Sequence, residues 1–144
     1  MNQLEKMNQY VADLSVLFVK FHNLHWNVVG EDFKAVHEYL ELIYDDLNLK
    51  FDEVAERIKM IGEFPLASLK DYLDVTSVKE LESNDISING AYNVALESLE
   101  LLKASALHIR KLAEGNDDFV TVSMMEDHVT AYDKEIWFVK SALK

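Results

Sequence analysis

Cysteine is absent from this chain of 144 residues, and glycine and proline are scarce, at 4 and 1. The lack of cysteine excludes disulfides and thiolate zinc sites, and fits a reducing compartment. So little glycine and proline leaves few residues for the many tight turns of an all-β sandwich. Basic side chains are also in deficit, with 14 Lys and Arg against 26 Asp and Glu and a formal net charge of −12. Such a surface repels phosphate backbones and attracts cations. Apolar runs are only a few residues long, so nothing is expected to span a membrane. Met1–Lys6 shows no basic-then-apolar signal pattern, and a cytoplasmic protein is expected. What is present is an apolar share of 49%, enough for a globular core in one domain over 1–144.

The four glycines, Gly30, Gly62, Gly90 and Gly115, separate segments with helical apolar spacing. Each is read as the left-handed residue just past or between helices. Pro65 follows Gly62 closely, as expected after a helix stop. The first helix is predicted over residues 3–28, where Leu4, Met7, Val11, Leu14, Phe18 and Phe21 form one stripe that His25 continues. The second is predicted over 32–61, with Phe33, Val36, Leu40, Ile43, Leu47, Phe51, Val54, Ile58 and Ile61 in the same rhythm. Two more follow, over 90–114 and 118–143. In the long link, Ser77-Val78-Lys79-Glu80 has the pattern of a capping box and predicts the start of a short helix. The fold class is therefore all-α. It is a four-helix bundle with a long crossover between helices 2 and 3, the ferritin-like connectivity.

Metal-binding side chains gather on the second helix. His37/Glu41 and Asp52/Glu56 are both spaced i,i+4, which makes the partners neighbours on one helix face. With Leu40 at 0°, the apolar stripe falls between about −60° and +20°, and these four lie at about 60°, 100°, 120° and 160°. They flank the stripe and face something other than the chain's own core. Imidazole with carboxylate suits iron, zinc or manganese, whereas carboxylates alone lean toward harder ions. His37 and Asp52 are separated by 15 residues. That is about 22 Å of helix, against metal–ligand bonds of about 2 Å. One helix cannot bring both pairs to one metal.

Two antiparallel copies about a two-fold axis can. His37 of one chain then approaches Asp52 and Glu56 of the other, around a centre near residues 46–47, and the two-fold makes two equivalent sites. His25 offers a further imidazole. The same residues also fit a solvated acidic face with ordinary ion pairs, and His25 a hydrogen-bonded core position. The chain lacks Glu-x-x-His, which marks intrachain di-iron sites in larger ferritin-like bundles, so such a site is not expected.

The run Phe21-His22-Asn23-Leu24-His25-Trp26-Asn27-Val28-Val29-Gly30 is followed by Phe33, His37 and Glu38. Tyr44-Asp45-Asp46-Leu47 and Phe51-Asp52-Glu53-Val54-Ala55-Glu56-Arg57-Ile58 come next. Ile61-Gly62-Glu63-Phe64-Pro65-Leu66, Leu69-Lys70-Asp71-Tyr72-Leu73 and Asp133-Lys134-Glu135-Ile136-Trp137 complete the pattern. Over nearly its whole length the chain resembles the Dps family, the miniferritins. The resemblance implies a short helix in the crossover and a hollow shell of twelve subunits. It implies Fe(II) binding between two-fold-related subunits, ferroxidase activity preferentially with hydrogen peroxide, and storage of Fe(III) mineral inside. The implied ligands are His25, His37, Asp52 and Glu56. Glu41 stands where many relatives carry Asp and is the least secure of the set. Zinc is the expected competitor of iron.

Both histidines would act as neutral donors, so binding should weaken as they protonate at mildly acidic pH. Trp26 joins the catalytic set if it packs over the site or quenches stray oxidising equivalents; the other reading is an aromatic anchor in the bundle or interface. Trp137 is read as a packing residue and His22 as an interface histidine. By the same resemblance Glu114, Asp117 and Asp118 line an iron-entry pore at a three-fold axis, although Asp before a helix also serves as an N-cap. Relatives often carry another acid near Ser123, for which Glu126 and Asp127 are substitutes.

The alternative reading is a DNA-compacting shell with incidental iron binding. The termini argue against it. Met1–Tyr10 holds one Glu and one Lys, and the C-terminal end offers only Lys140 and Lys144. Twelve chains would carry about −144 formal charges, an unfavourable surface for phosphate.

Overall fold

A computed structural model describes all residues, Met1–Lys144. Four long helices, α1 (Gln3–Asn27), α2 (Phe33–Met60), α4 (Ile88–Gly115) and α5 (Phe119–Leu143), pack as two hairpins. A short helix, α3 (Leu69–Val75), lies in the crossover and rests on α1. Most of the expected stripe positions are buried, and Leu4, Phe18, Phe51 and Ile61 are half-buried. Met7, Val11, Leu14, Phe21 and His25 of α1 face inward, as do Val36, Leu40, Ile43, Leu47, Val54 and Ile58 of α2. Tyr10, Leu17 and Leu24, seven residues apart, add a second buried row to α1. Phe33, expected in the stripe of α2, is instead exposed.

Four of the five helix starts have a side-chain cap, α2 behind Asp32 being the one without. The side chains of Asn2, Ser68 and Ser87 accept backbone N–H bonds from Glu5, Asp71 and Gly90, and Asp118 accepts one from Thr121. Caps of this kind are each worth about 1 kcal/mol.

The crossover corrects one expectation. Ser77-Val78-Lys79-Glu80 starts no helix; α3 begins earlier, at Leu69, behind the cap of Ser68. Ser77 is recruited by a buried carboxylate of α1 instead. Its hydroxyl and backbone N–H donate to Asp13 at 2.9 and 2.8 Å, and the Thr76 hydroxyl donates at 2.7 Å. Three donors repay the burial of Asp13 and pin the crossover against α1.

After α1 the chain forms β1 (Val28–Val29), which pairs in parallel with β2 (Ile86–Ser87) just before α4. Gly30 sits at this junction with φ +144°, and a Cβ there would lie 2.8 Å from Ile88 Cδ1. Gly62, at φ +89°, follows α2 as expected. Gly90 and Gly115 do not have the role expected of them. Both are helical, and the left-handed residue after α4 is Asp117, at φ +56°.

Candidate metal centre

His25 near the end of α1 and His37 in the second turn of α2 are brought together by the α1–α2 hairpin. Their rings stack with centroids 3.6 Å apart and planes 13° from parallel. The Nδ1–H of His25 donates to the carbonyl of His37 at 2.6 Å, and the Nδ1–H of His37 donates to the carbonyl of His25 at 2.7 Å. A carbonyl can only accept, so both Nδ1 atoms carry the proton in the neutral rings. Both Nε2 atoms are therefore left with free lone pairs, the state a metal requires of imidazole.

Glu41, one turn beyond His37, places Oε1 3.9 Å from His25 Nε2. It also accepts a hydrogen bond of 3.2 Å from the Tyr44 hydroxyl. Tyr44 is in turn fixed by stacking on His22, with centroids 3.7 Å apart, and by an edge contact with His25. His22 is held by a bond of 2.7 Å between its Nδ1 and the carbonyl of Phe18. Phe33 covers the other side of His37, at 5.1 Å between centroids. Neither Tyr44 nor Phe33 is marked as a site residue by the sequence, since an aromatic side chain carries no ligand signal of its own. Trp26 touches His22 at 5.4 Å between centroids but is 67% exposed. Trp137, expected to pack, is 65% exposed and contacts Phe138.

Asp52 and Glu56 are exposed on the same flank of α2. A hydrogen bond from Glu56 to Asp52 and their mutual repulsion push the Glu56 carboxyl above its ordinary range. Paired carboxylates of this kind attract either a proton or a cation. Within one chain, no three His, Asp or Glu side chains converge on a metal-sized position. The protomer thus presents a histidine half, His25, His37 and Glu41, and a separate carboxylate half, Asp52 and Glu56.

At the acidic turn, Asp118 takes the capping role. It accepts from Thr121, from Gln3 at 2.7 Å and from Arg57 at 2.7 Å. Burial alone would raise its pKa, but the bonds from Thr121, Gln3 and Arg57 outweigh it and hold the carboxyl at about 2. Its oxygens are committed to these intrachain partners. Arg110 engages Glu126 at 3.1 Å and Glu114 at 3.6 Å, leaving Asp117 as the acid of this turn that is exposed and outside any ion pair.

The ferritin-like domain family matches residues 4–144. A DNA protection during starvation protein of Helicobacter pylori is 35% identical over 143 residues, covering 99% of both chains. The crystal structure of antigen TpF1 from Treponema pallidum superposes with a TM-score of 0.96 at 34% identity, covering 99% of this chain and 91% of that one. A Dps protein from Vibrio cholerae, described as a member of a broad superfamily of ferritin-like diiron-carboxylate proteins, gives 0.94 at 29% identity, covering 99% and 89%. On fold, coverage and identity together, the chain belongs to the Dps family of the ferritin-like superfamily.

Proposed function

We propose that this protein is an iron-detoxifying and iron-storing shell, active in the cytoplasm, that oxidises Fe(II) with hydrogen peroxide at sites shared between two-fold-related subunits. The observation that carries the reading is the reciprocal bonding of His25 and His37, which aims two unprotonated Nε2 atoms away from their anchors. The histidine half of one chain and the carboxylate half of the next complement each other as ligands. The histidines bind Fe(II) without adding charge. Asp52 and Glu56 supply the negative charge that favours Fe(III) over Fe(II). Glu41, steadied by Tyr44, completes the histidine half. Two Fe(II) ions deliver two electrons to one peroxide, which leaves as two hydroxide ions and yields no hydroxyl radical.

Assembly into a homododecamer is part of the proposal. Besides Trp26 and Trp137, the single chain exposes Leu42, Leu49, Met60, Phe64 and Phe119. So many large apolar side chains in water support further contacts between subunits. Asp117 is the residue best suited to an entry pore, and zinc is the competitor expected for the same ligands.

The test is an iron-soaked crystal measured at the iron absorption edge. Anomalous density between His25 and His37 of one chain and Asp52 and Glu56 of the next is expected. Iron bound only elsewhere, or peroxide-driven oxidation no faster than in protein-free buffer, would overturn the reading.

A further inference from the structure

Three polar side chains from two helices meet inside the bundle. Tyr10 of α1 and His128 and Tyr132 of α5 are 0%, 3% and 1% exposed. The Tyr10 hydroxyl lies 2.8 Å from His128 Nδ1 and 2.5 Å from the Tyr132 hydroxyl. His128 Nε2 makes no hydrogen bond and has Glu53 Oε1 3.4 Å away. Lys50, also buried, pairs with Asp46 and holds its ammonium 5.1 Å from the Tyr132 ring centre. Stability does not require this arrangement. Phe at the tyrosine positions and Leu at 128 would fill the space without burying polar groups that cost about 1–3 kcal/mol when imperfectly paired.

The place of the network in the bundle is informative. The His25–His37 contact sets the register of α1 against α2. Tyr10 is 15 residues before His25, and Asp52 is 15 after His37, so the two lie at one level of the hairpin. Contacts agree, since Glu53 adjoins Asp52 in sequence and reaches His128, which reaches Tyr10. Around α2, Asp46, Lys50 and Glu53 lie at about −120°, −80° and −140°, on the flank opposite Asp52 and Glu56. The network and the carboxylate half therefore sit on two sides of the same stretch of helix, about 10–12 Å apart.

We propose that Tyr10 is a buried one-electron donor to oxidation at the Asp52/Glu56 half-site, with His128 Nδ1 receiving its phenolic proton and the Tyr132 hydroxyl holding its oxygen. The inference rests on the iron-oxidation reading above. A phenol that loses one electron becomes a strong acid, and the electron leaves readily only where a base waits within hydrogen-bond reach. His128 is that base. Burial, and then the charge of Lys50, push its pKa down to about 3, so it is unprotonated at neutral pH. The imidazolium formed on transfer gains Glu53 as a counter-ion through Nε2–H, and the Tyr132 O–H stabilises the oxygen of the neutral radical.

The step balances for a site that holds a single Fe(II). Fe(II) gives one electron and Tyr10 the other. The O–O bond of hydrogen peroxide breaks to two hydroxide ions, Fe(III) forms, and the phenolic proton rests on His128. With no second electron, the same encounter would release a hydroxyl radical. A later Fe(II) re-reduces the tyrosyl radical, and His128 returns the proton.

The test has two arms read by freeze-quench electron paramagnetic resonance. In one, metal-free protein is oxidised by a photogenerated ruthenium(III) polypyridyl complex. In the other, protein with one Fe(II) per site is mixed with hydrogen peroxide, and Fe(II) consumption and spin-trapped hydroxyl radical are followed in the same samples. Tyr10→Phe deletes one oxygen and keeps the packing shape. It is expected to abolish a tyrosyl signal present in both arms of the wild type and to raise trapped hydroxyl radical in the iron arm. Tyr132→Phe is expected to keep the signal with a shifted g-tensor, because one hydrogen bond to the radical is lost. A signal of equal size and shape in Tyr10→Phe, or normal Fe(II) oxidation with no Tyr10 signal in the iron arm, overturns the inference. A Tyr10 signal in the photochemical arm with no Fe(II) oxidation above buffer removes the iron reading and with it the donor role, leaving only an oxidisable Tyr10 beside His128.

Discussion

Mixing two inactive variants distinguishes a metal site shared by two chains from one built within a chain. In His37→Ala chains the histidine half is broken and Asp52 is intact; in Asp52→Ala chains the reverse holds. Each variant alone forms assemblies in which every shared site lacks a ligand. In a random one-to-one mixture about half of the two-fold dimers are mixed. A mixed dimer has one site lacking both ligands, and one that pairs the intact His37 with the intact Asp52. About one quarter of all sites should therefore be restored. The helix geometry makes the contrast sharp, because His37 and Asp52 of one chain stay about 22 Å apart whatever their side chains do.

The assay is an anaerobic titration with Co(II), whose visible absorption reports ligand number, followed by peroxide oxidation of Fe(II) in the same mixtures. Chains are co-expressed or unfolded and refolded together, and native mass spectrometry establishes that both are present in one assembly. Recovery to about a quarter of wild-type capacity is the expected result. Assemblies whose two-fold dimers are verified as mixed and that recover no capacity would refute ligation across the interface.

Four other outcomes follow from the structure. Asp118 is only 16% exposed at its side chain, and its carboxyl is held at about 2 against an ordinary 3.8. Because the folded value is the lower one, its stabilisation is present above pH 4 and lost as pH falls toward 2. Asp118→Asn should therefore cost about 2 kcal/mol near pH 5 and little near pH 2, by urea unfolding at fixed protein concentration; a difference independent of pH would contradict this. Gly30→Ala should destabilise by about 1–3 kcal/mol in thermal unfolding, from the close approach to Ile88 and the positive φ; an unchanged melting temperature would count against both. Tyr44→Phe frees Glu41 and should weaken Co(II) binding by about 10-fold while leaving the helical circular dichroism intact. DNA should pass unretarded in a gel shift at physiological salt, and retention there would show that the charge argument fails.

Most of the fold was legible because it rests on long periodic segments. The stripes of α1 and α2 needed only the 3.6-residue repeat, and the boundaries came within two residues. Local chemistry misled where a distant group competed for the same atoms. Ser77 and Glu80 have the spacing of a capping box, but Asp13, 64 residues earlier, takes the serine's hydroxyl and amide. Gly115 looked like a left-handed terminator, yet the helix runs through it and Asp117 adopts that conformation instead. Neither outcome is encoded in the few residues on either side.

The candidate site divides along the same line. His37, Asp52 and Glu56 stood out because charged or ligating residues beside an apolar stripe break its pattern, His25 because an imidazole continues one, and the 15-residue separation of His37 from Asp52 forces a second chain into the argument. Tyr44, Tyr10 and Tyr132 break no pattern. At inward positions a tyrosine counts as apolar bulk, and its hydroxyl matters only when something meets it. What meets Tyr10 comes from 118 and 122 residues away, on α5. His128 has no ligand-like partner one turn away on its own helix; its acid is Glu53 of α2. A half-site whose parts lie on one helix can thus be read from spacing. A proton-accepting network assembled from three helices cannot, because its defining quantity is a distance between segments that the linear order leaves free. That difference also explains why the two features can serve one reaction. The α1–α2 register that stacks His25 on His37 also sets Tyr10 level with Asp52, so a single hairpin alignment determines both where iron would bind and how near a buried phenol stands to it.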